Sequence, residues 1–575
     1  MVRGSLDAML NRPKEERYRA FMDELTRAAL SKRFTQDQFS SFKMKLCRTY
    51  KLSRMPTNIE ILLNAPDELY DALDYLVTKP TRSLSGVAVV AVMTKPHACP
   101  HGRCVPLTGG LGSHSGTVPQ SYTGIEPATR RAIRNDYDPY LQVMNRLEQY
   151  VVTGHTPEKI ELIVMGGTFM SQPRKYRDWF VGECFRAMND FSRLFFRRGV
   201  LNINRLKRFF HLPGDLENER RAEAIRKNIR GARSTGGTLE QMQRKNEHSW
   251  IRCVSLVIET RPDYATTHYA REMLRLGCTK VEVGVQSVFD EPLRKMERGH
   301  GVEESIRATR ILKDFGFKVT YHIMPGLPGS TLEQDKEMFE ILFSDERFKP
   351  DMLKIYPCMV LKGTPLYEDY RTGRFKPMTT KDAITLLRSV KQNVPPYVRI
   401  NRVQRDIPTK QTEAGVDMTN LRQIVLEEMA AAGEECGCIR CREVGRRANV
   451  TGTTKVHIYS YEASGGQEFF ISAERGSALV GFCRLRFPGA SDTKGLSEDT
   501  ALIRELHVYG RAVGLGKSGD SQHTGWGKKL LSRAEKICRE NGRTRVLVIS
   551  GIGVRQYYRR LGYRKKGPYM MRRLS

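Results

Sequence analysis

At 575 residues the chain is too long for one ordinary core and calls for about three or four folding units. Its 40% hydrophobic and 28% charged composition, without a long polar tract, excludes a disordered chain. No apolar run reaches bilayer length and MVRGSLDAMLNRPKEE lacks a signal-peptide core, so the expectation is a cytoplasmic protein with no membrane partner. Ninety-five Lys and Arg against 64 Asp and Glu leave +31, a field that attracts polyanions and puts nucleic acid ahead of a merely salt-adapted surface.

From Arg12 to about Val77 apolar residues recur at helical spacing, as in YRAFMDELTRAAL, with Lys43, Lys45, Arg48, Lys51 and Arg54 between them. This predicts a basic helical region over 1–80. Over 81–395 short apolar runs (GVAVVAVMT, KIELIVMGGTFM, SWIRCVSLVIET, KVEVGVQSV, VTYHIMPGLPG, DMLKIYP) alternate with amphipathic stretches. Such alternation predicts a parallel sheet, open or curled into a partial (β/α) barrel, with its chemistry at the C-terminal strand ends. A polar, Arg-rich stretch over 185–249 reads as a surface insertion within it. Residues 396–451 form a linker carrying ECGCIRCREVG, and 452–575 read as a separate α+β unit. The fold class expected is therefore multidomain α/β.

In that last unit the strand ALIRELHVYG leads to Gln522-His-Thr-Gly525-Trp526-Gly527-Lys528 at the start of an amphipathic helix. Glycines at a helix start let backbone N–H groups approach a pyrophosphate, which the helix dipole favours. The strand RVLVISG and then QYYRRLGY follow, and in that order the run resembles the GNAT acetyltransferase fold. The resemblance implies that Glu505, Leu506, His507 and Val508 line acetyl-CoA, with Gln522, Gly525, Trp526, Gly527 and Lys528 on its pyrophosphate. It also makes Tyr558 the acid that protonates the departing thiolate. One member of the Tyr557–Tyr558 pair is expected only to pack.

The upstream stretches KPHACPHGRC, QSYTGIEPATRRAIRNDYDPYLQ, VIETRPDY, EVGVQSV, VQRDIP and RCREVG resemble the Elongator catalytic-subunit family in its archaeal form. That family joins a radical S-adenosylmethionine domain to an acetyltransferase and carboxymethylates wobble uridine 34 of tRNA. The resemblance implies that the 1–80 region binds tRNA and that the anticodon stem-loop is the substrate. It further implies a [4Fe–4S] cluster on Cys99 and Cys104, S-adenosylmethionine at Gly166-Gly167-Thr168 and acetyl-CoA contact at Lys159. Leu107 stands where the third cluster cysteine belongs, and a leucine cannot ligate iron. Acetyl-CoA binding and tRNA-stimulated hydrolysis are expected to outlast the radical step. Glu259, Gln286 and His322 fall near predicted strand ends facing one cavity. Cys436, Cys438 and Cys441 suit tetrahedral zinc joining the lobes, with reduced thiols in a turn as the alternative. Competing functions are a lysine acetyltransferase and a cluster-defective tRNA-binding or assembly protein. Homodimerisation, and partner subunits such as the eukaryotic relatives have, stay open.

Overall fold

The computed structural model describes residues 13–32, 34–64, 76, 86–214, 218–408, 411–447, 450–489, 497–510 and 525–574. Helices α1 (Lys14–Ser31), α2 (Gln36–Thr49) and α3 (Asn58–Asn64) open the chain. Thr35 caps α2 in a reciprocal pair with Gln38, an arrangement worth about 1 kcal/mol. Phe21, Leu25, Phe39 and Ile61 close a small core of their own. Of the five cations singled out there, Lys43 is buried and donates to Asn58 Oδ1 at 2.9 Å, while Arg54 is paired with Glu60. Lys45, Arg48 and Lys51 are exposed and available to a polyanion.

Seven parallel strands build the central sheet: β1 (Ala88–Met93), β2 (Lys159–Met165), β3 (Arg252–Thr260), β4 (Cys278–Gln286), β5 (Lys318–Ile323), β6 (Met352–Ile355) and β7 (Arg399–Arg402). Each pairs with its successor in the chain, the order expected of a curled half-barrel. β7 lies beyond residue 395, so the sheet takes its last strand from the stretch read as linker. The outer face packs Val90, Leu162 and Ile258 with Tyr140, Leu147, Phe180 and Phe191 of two long helices. Asp138 and Pro139 start the first of these, with the Asp138 carboxylate accepting from Leu141 N at 3.0 Å. The 185–249 stretch, read as a surface insertion, is instead a packed helical unit. Phe191, Phe195, Phe209 and Phe210 pack edge-to-face or tilted against one another, and Ile225 and Ile229 belong to the same core.

The last unit is a seven-stranded sheet of β8 (Thr454–Ala463), β9 (Gly466–Arg475), β10 (Ala478–Phe487), β11 (Thr500–Val508), β12 (Arg545–Val548), β13 (Arg564–Lys566) and β14 (Tyr569–Arg573). All its pairs are antiparallel except β11 with β12, whose ladder stops at Ile503 and Val548. Residues 505–508 continue with β10 on one side only, so the sheet is open along that edge. Helix α4 (Trp526–Glu540) covers the sheet with Leu530, Leu531, Ala534 and Cys538.

The two sheets are locked by a buried charge network. Arg504 reaches Asp351 at 2.6 and 2.8 Å and Glu468 at 2.9 Å, and Arg486 reaches Asp314 at 2.6 Å. Arg484 holds Glu505 at 2.9 Å and donates to the Tyr397 carbonyl. Near the far edge Glu247 accepts from Arg555 and Arg559. Burial of so many polar groups is tolerable only because each faces an opposite charge.

Candidate active site

The strand ends of the half-barrel carry the predicted cysteine loop. His101 stands between its thiols, with Nδ1 3.0 Å from Cys99 Sγ and Nε2 3.1 Å from Cys104 Sγ. Burial, reinforced by Arg261 and Arg298, pushes His101 down to about 4, so its imidazole is neutral near pH 7. Leu107 N donates to the Cys104 carbonyl, and the Leu107 side chain packs with Leu293, Met296 and Met324. The loop thus offers two thiols and an imidazole held between them, and position 107 supplies no donor. A site-differentiated [4Fe–4S] cluster takes three thiolates, and this set does not fit it.

Beside the loop, Gly166 and Gly167 turn with φ of +122° and +89°, and a Cβ on Gly166 would run into Thr94. Thr168 Oγ1 lies 3.6 Å from Cys99 Sγ, which brings this turn to the loop. Three buried polar atoms facing the same cavity have no partner among the described residues: Gln120 Nε2, Thr260 Oγ1 and Gln286 Oε1. Leaving such a group unpaired costs about 1–3 kcal/mol, the mark of a wall built for a polar ligand.

Inside the half-barrel the strands turn every second residue inward; Val89, Ala91, Ile163 and Met165 line it on the first two strands, and a charged group gathers on the middle ones. Lys280 lies 3.0 Å from Glu161 and 3.9 Å from Glu282. Glu282, fully buried, accepts from Lys354 and lies 3.1 Å from His322 Nε2. Burial would raise its carboxyl, but Lys354, His322 and Lys280 hold it well below the usual range. Glu259 accepts from the Tyr122 hydroxyl at 3.0 Å. Glu259, Gln286 and His322 therefore meet in one cavity, as expected from the sequence. Lys280, Glu282 and Lys354 were missed, although the two-residue period of KVEVGVQ displays the first two.

At the other end of the strands, Lys159 opens β2 and its amine is pushed down by burial. It faces the same cavity as the open edge Glu505-Leu506-His507-Val508 and the helix start Gly525-Trp526-Gly527-Lys528. Gly525 takes φ +86° as the cap of α4. Gln522 lies outside the described residues. Tyr557 and Tyr558 both line the space, their rings edge-to-face at 5.3 Å. Tyr558 is buried against Tyr563, and burial pushes its hydroxyl far above the usual range, so it stays protonated. The Tyr557 hydroxyl comes so close to Gly527 that a side chain there would collide with it. One continuous cavity of about 1760 Å³ runs from Cys99 through the half-barrel to Tyr558.

In the linker, the Sγ atoms of Cys436, Cys438 and Cys441 lie within 4.8 Å of one another. The buried Lys391 amine is 3.6 Å from Cys436 and 3.8 Å from Cys441. Three thiols so placed fit a tetrahedral ion with one further ligand. Arg442 and Glu443 beside them reach Glu474 and Leu479 of the last sheet.

Family profiles match along the chain: the ELP3 N-terminal domain over 18–84, the Radical SAM superfamily over 209–342, the Radical SAM C-terminal domain over 350–431 and the Acetyltransferase (GNAT) family over 434–563. A tRNA uridine(34) acetyltransferase of Methanocaldococcus infernus is 43% identical over 94% of this chain and 96% of its own length. Human Elongator complex protein 3 is 38% identical over 93% of this chain and 92% of its own. The chain belongs to the Elongator complex protein 3 family. Among solved structures, an N-terminally truncated M. infernus Elp3 matches with TM-score 0.69 at 39% identity, covering 85% of this chain and all of that one. The radical SAM half-barrel, helical N-terminal region and GNAT sheet are therefore those of the family. These domains imply S-adenosylmethionine, a [4Fe–4S] cluster and acetyl-CoA as the family's cofactors, and the two-thiol loop of this chain departs from the cluster's ligand set. No described helix is long and apolar enough to cross a membrane.

Proposed function

We propose that this protein acts on the wobble uridine of tRNA with acetyl-CoA, as a tRNA uridine(34) acetyltransferase whose family reaction yields 5-carboxymethyluridine. The observation that carries the reading is the single cavity joining the acetyltransferase edge to the half-barrel interior. Acetyl-CoA lies along Glu505–Val508, its pyrophosphate against the N–H groups at Gly525–Lys528 and the dipole of α4. Lys159 contacts it at the barrel rim, so the acetyl end enters the barrel rather than solvent. That direction suits a nucleotide inserted into the cavity better than a protein lysine. Tyr558, kept protonated, supplies a proton to the CoA thiolate as the thioester breaks. The exposed Lys45, Arg48 and Lys51, with Arg402 and Arg405 at the cavity wall, meet tRNA phosphates. Gly166, Gly167 and Thr168 hold the methionine end of S-adenosylmethionine. Three thiolates in the linker hold zinc and tie the two lobes together.

Leu107 separates this chain from the complete radical reaction. The test is anticodon-nucleoside mass spectrometry after incubation with tRNA, acetyl-CoA and S-adenosylmethionine, beside Leu107→Cys. The thiol introduced by that substitution would enter the same cavity one turn from Cys104. The parent is expected to release CoA with tRNA but to form little carboxymethyluridine, and Leu107→Cys to raise both iron loading and product. Four-iron loading of the parent would defeat the ligand argument. Absence of tRNA-dependent CoA release and of modified uridine from both proteins would defeat the assignment.

A further inference from the structure

The middle of the cavity holds a constellation that binding of acetyl-CoA does not use. Glu259, Glu282 and His322 bring ligand atoms within 4.8 Å of one another, close enough for a metal ion. A cation is already there: the Lys354 amine contacts Glu282 and lies 3.7 Å from Glu259 Oε1. Glu282 is the buried anchor that keeps this amine charged and in place, while Glu259 is the more accessible carboxylate. Tyr122 donates to its other oxygen, Oε2, at 3.0 Å. At 3.7 Å the Lys354 amine is beyond hydrogen-bond length, so Oε1 keeps its capacity to accept. Along the cavity wall the order is hydroxyl donor, carboxylate acceptor, ammonium donor.

We propose that Tyr122, Glu259 and Lys354 form a uracil-reading site that holds the base by its Watson–Crick edge. Uracil presents there a carbonyl, the N3–H donor and a second carbonyl, the complement of this array. N3–H donates to Glu259, Lys354 donates to one carbonyl, and the Tyr122 hydroxyl turns about its C–O bond to donate to the other. Cytosine would set its N3 lone pair against the carboxylate and its amino group against the ammonium, facing acceptor with acceptor and donor with donor. Held by this edge, uracil keeps C5 and C6 free of protein hydrogen bonds, so the edge being read is remote from the carbon to be modified. The inference rests on the tRNA reading above and adds to it the groups that choose the base.

The test uses the full chain and anticodon stem-loop RNAs that differ only in carrying uridine, 3-methyluridine or cytidine at the wobble position, titrated by fluorescence anisotropy. The parent is expected to prefer uridine over either other base by about ten- to a hundredfold, the discrimination one good bidentate contact supplies. Glu259→Gln, whose amide offers both a donor and an acceptor, should reduce the preference to about threefold or less. Tyr122→Phe, which changes no charge, should give an intermediate ratio. Melting curves of each variant separate lost recognition from lost fold. Equal binding of all three RNAs by the parent, or an unchanged ratio in folded Glu259→Gln and Tyr122→Phe, would overturn the inference while leaving salt-sensitive tRNA binding intact. Failure of the parent to bind any stem-loop at low salt would instead remove the tRNA reading, and the inference with it.

Discussion

The buried network between the sheets gives the sharpest stability prediction. Four carboxylates, Asp314, Asp351, Glu468 and Glu505, face four cations, Lys313, Arg484, Arg486 and Arg504. Asp351 is its centre: both oxygens meet Arg504, Oδ2 accepts from Val319 N at 2.8 Å, and Arg484 is 3.5 Å away. Asp351→Asn keeps the volume but leaves the fully buried Arg504 and Arg484 short of one anion. Removing one partner of a buried pair costs about 3–5 kcal/mol, chiefly by stranding the other charge. The same logic sets a pH dependence. Burial alone would raise the Asp351 carboxyl, but Arg504, Arg484 and Lys313 hold it far below the unfolded value near 4. Its contribution is therefore complete above about pH 4 and is lost as pH falls below that value toward the folded one. Urea unfolding followed by tryptophan fluorescence, at pH 7 and at steps down to pH 3, measures both effects. A loss at pH 7 below about 1 kcal/mol, or a parent curve flat across the acid range, would show that the network does not hold the lobes.

Tyr558→Phe should slow tRNA-stimulated CoA release by about a hundredfold or more while leaving tRNA affinity unchanged, read by thiol detection and anisotropy. Gly166→Ala forces a Cβ into Thr94 at φ +122° and should cost about 1–3 kcal/mol together with S-adenosylmethionine affinity, checked by melting and equilibrium dialysis. With zinc on the linker thiols as proposed, Cys438→Ser should lower the zinc content of the purified protein, by elemental analysis, and speed proteolysis between the lobes.

Much of this architecture is written in local patterns. The alternation of VAVVAVM and IELIVM with amphipathic helices marks a parallel sheet because both faces of each strand must be covered. The Gly525–Gly527 helix start is legible because glycine is what a close phosphate approach requires. The last two strands, RKK and YMMRR, were not legible: basic side chains dominate them, and only the pairing of β14 with β12 and of β13 with β14 makes them strands. The Phe cluster of the 185–249 unit was hidden because the surrounding arginines dominate its composition, whereas the fold sorts most of them to the outside and holds Arg186 inside against Glu183. Lys354 was missed for a related reason. In DMLKIYP one lysine among apolar residues reads as a strand edge, and only the curl of the sheet brings it to Glu282 and Glu259.

The character of the half-barrel interior follows from that curl. A closed barrel is usually plugged by branched apolar side chains, which pack in layers and leave no passage. Here the inward positions carry Glu161, Lys280, Glu282 and Lys354 in a ladder of mutual contacts. Their charges satisfy one another along the wall and so do not need to fill the centre. The lumen stays open from the cysteine loop to the Glu505–Val508 edge. An apolar replacement such as Glu282→Leu would therefore do more than remove a charge: it would free Lys354 from its anchor and put an apolar side chain into the wall of the passage.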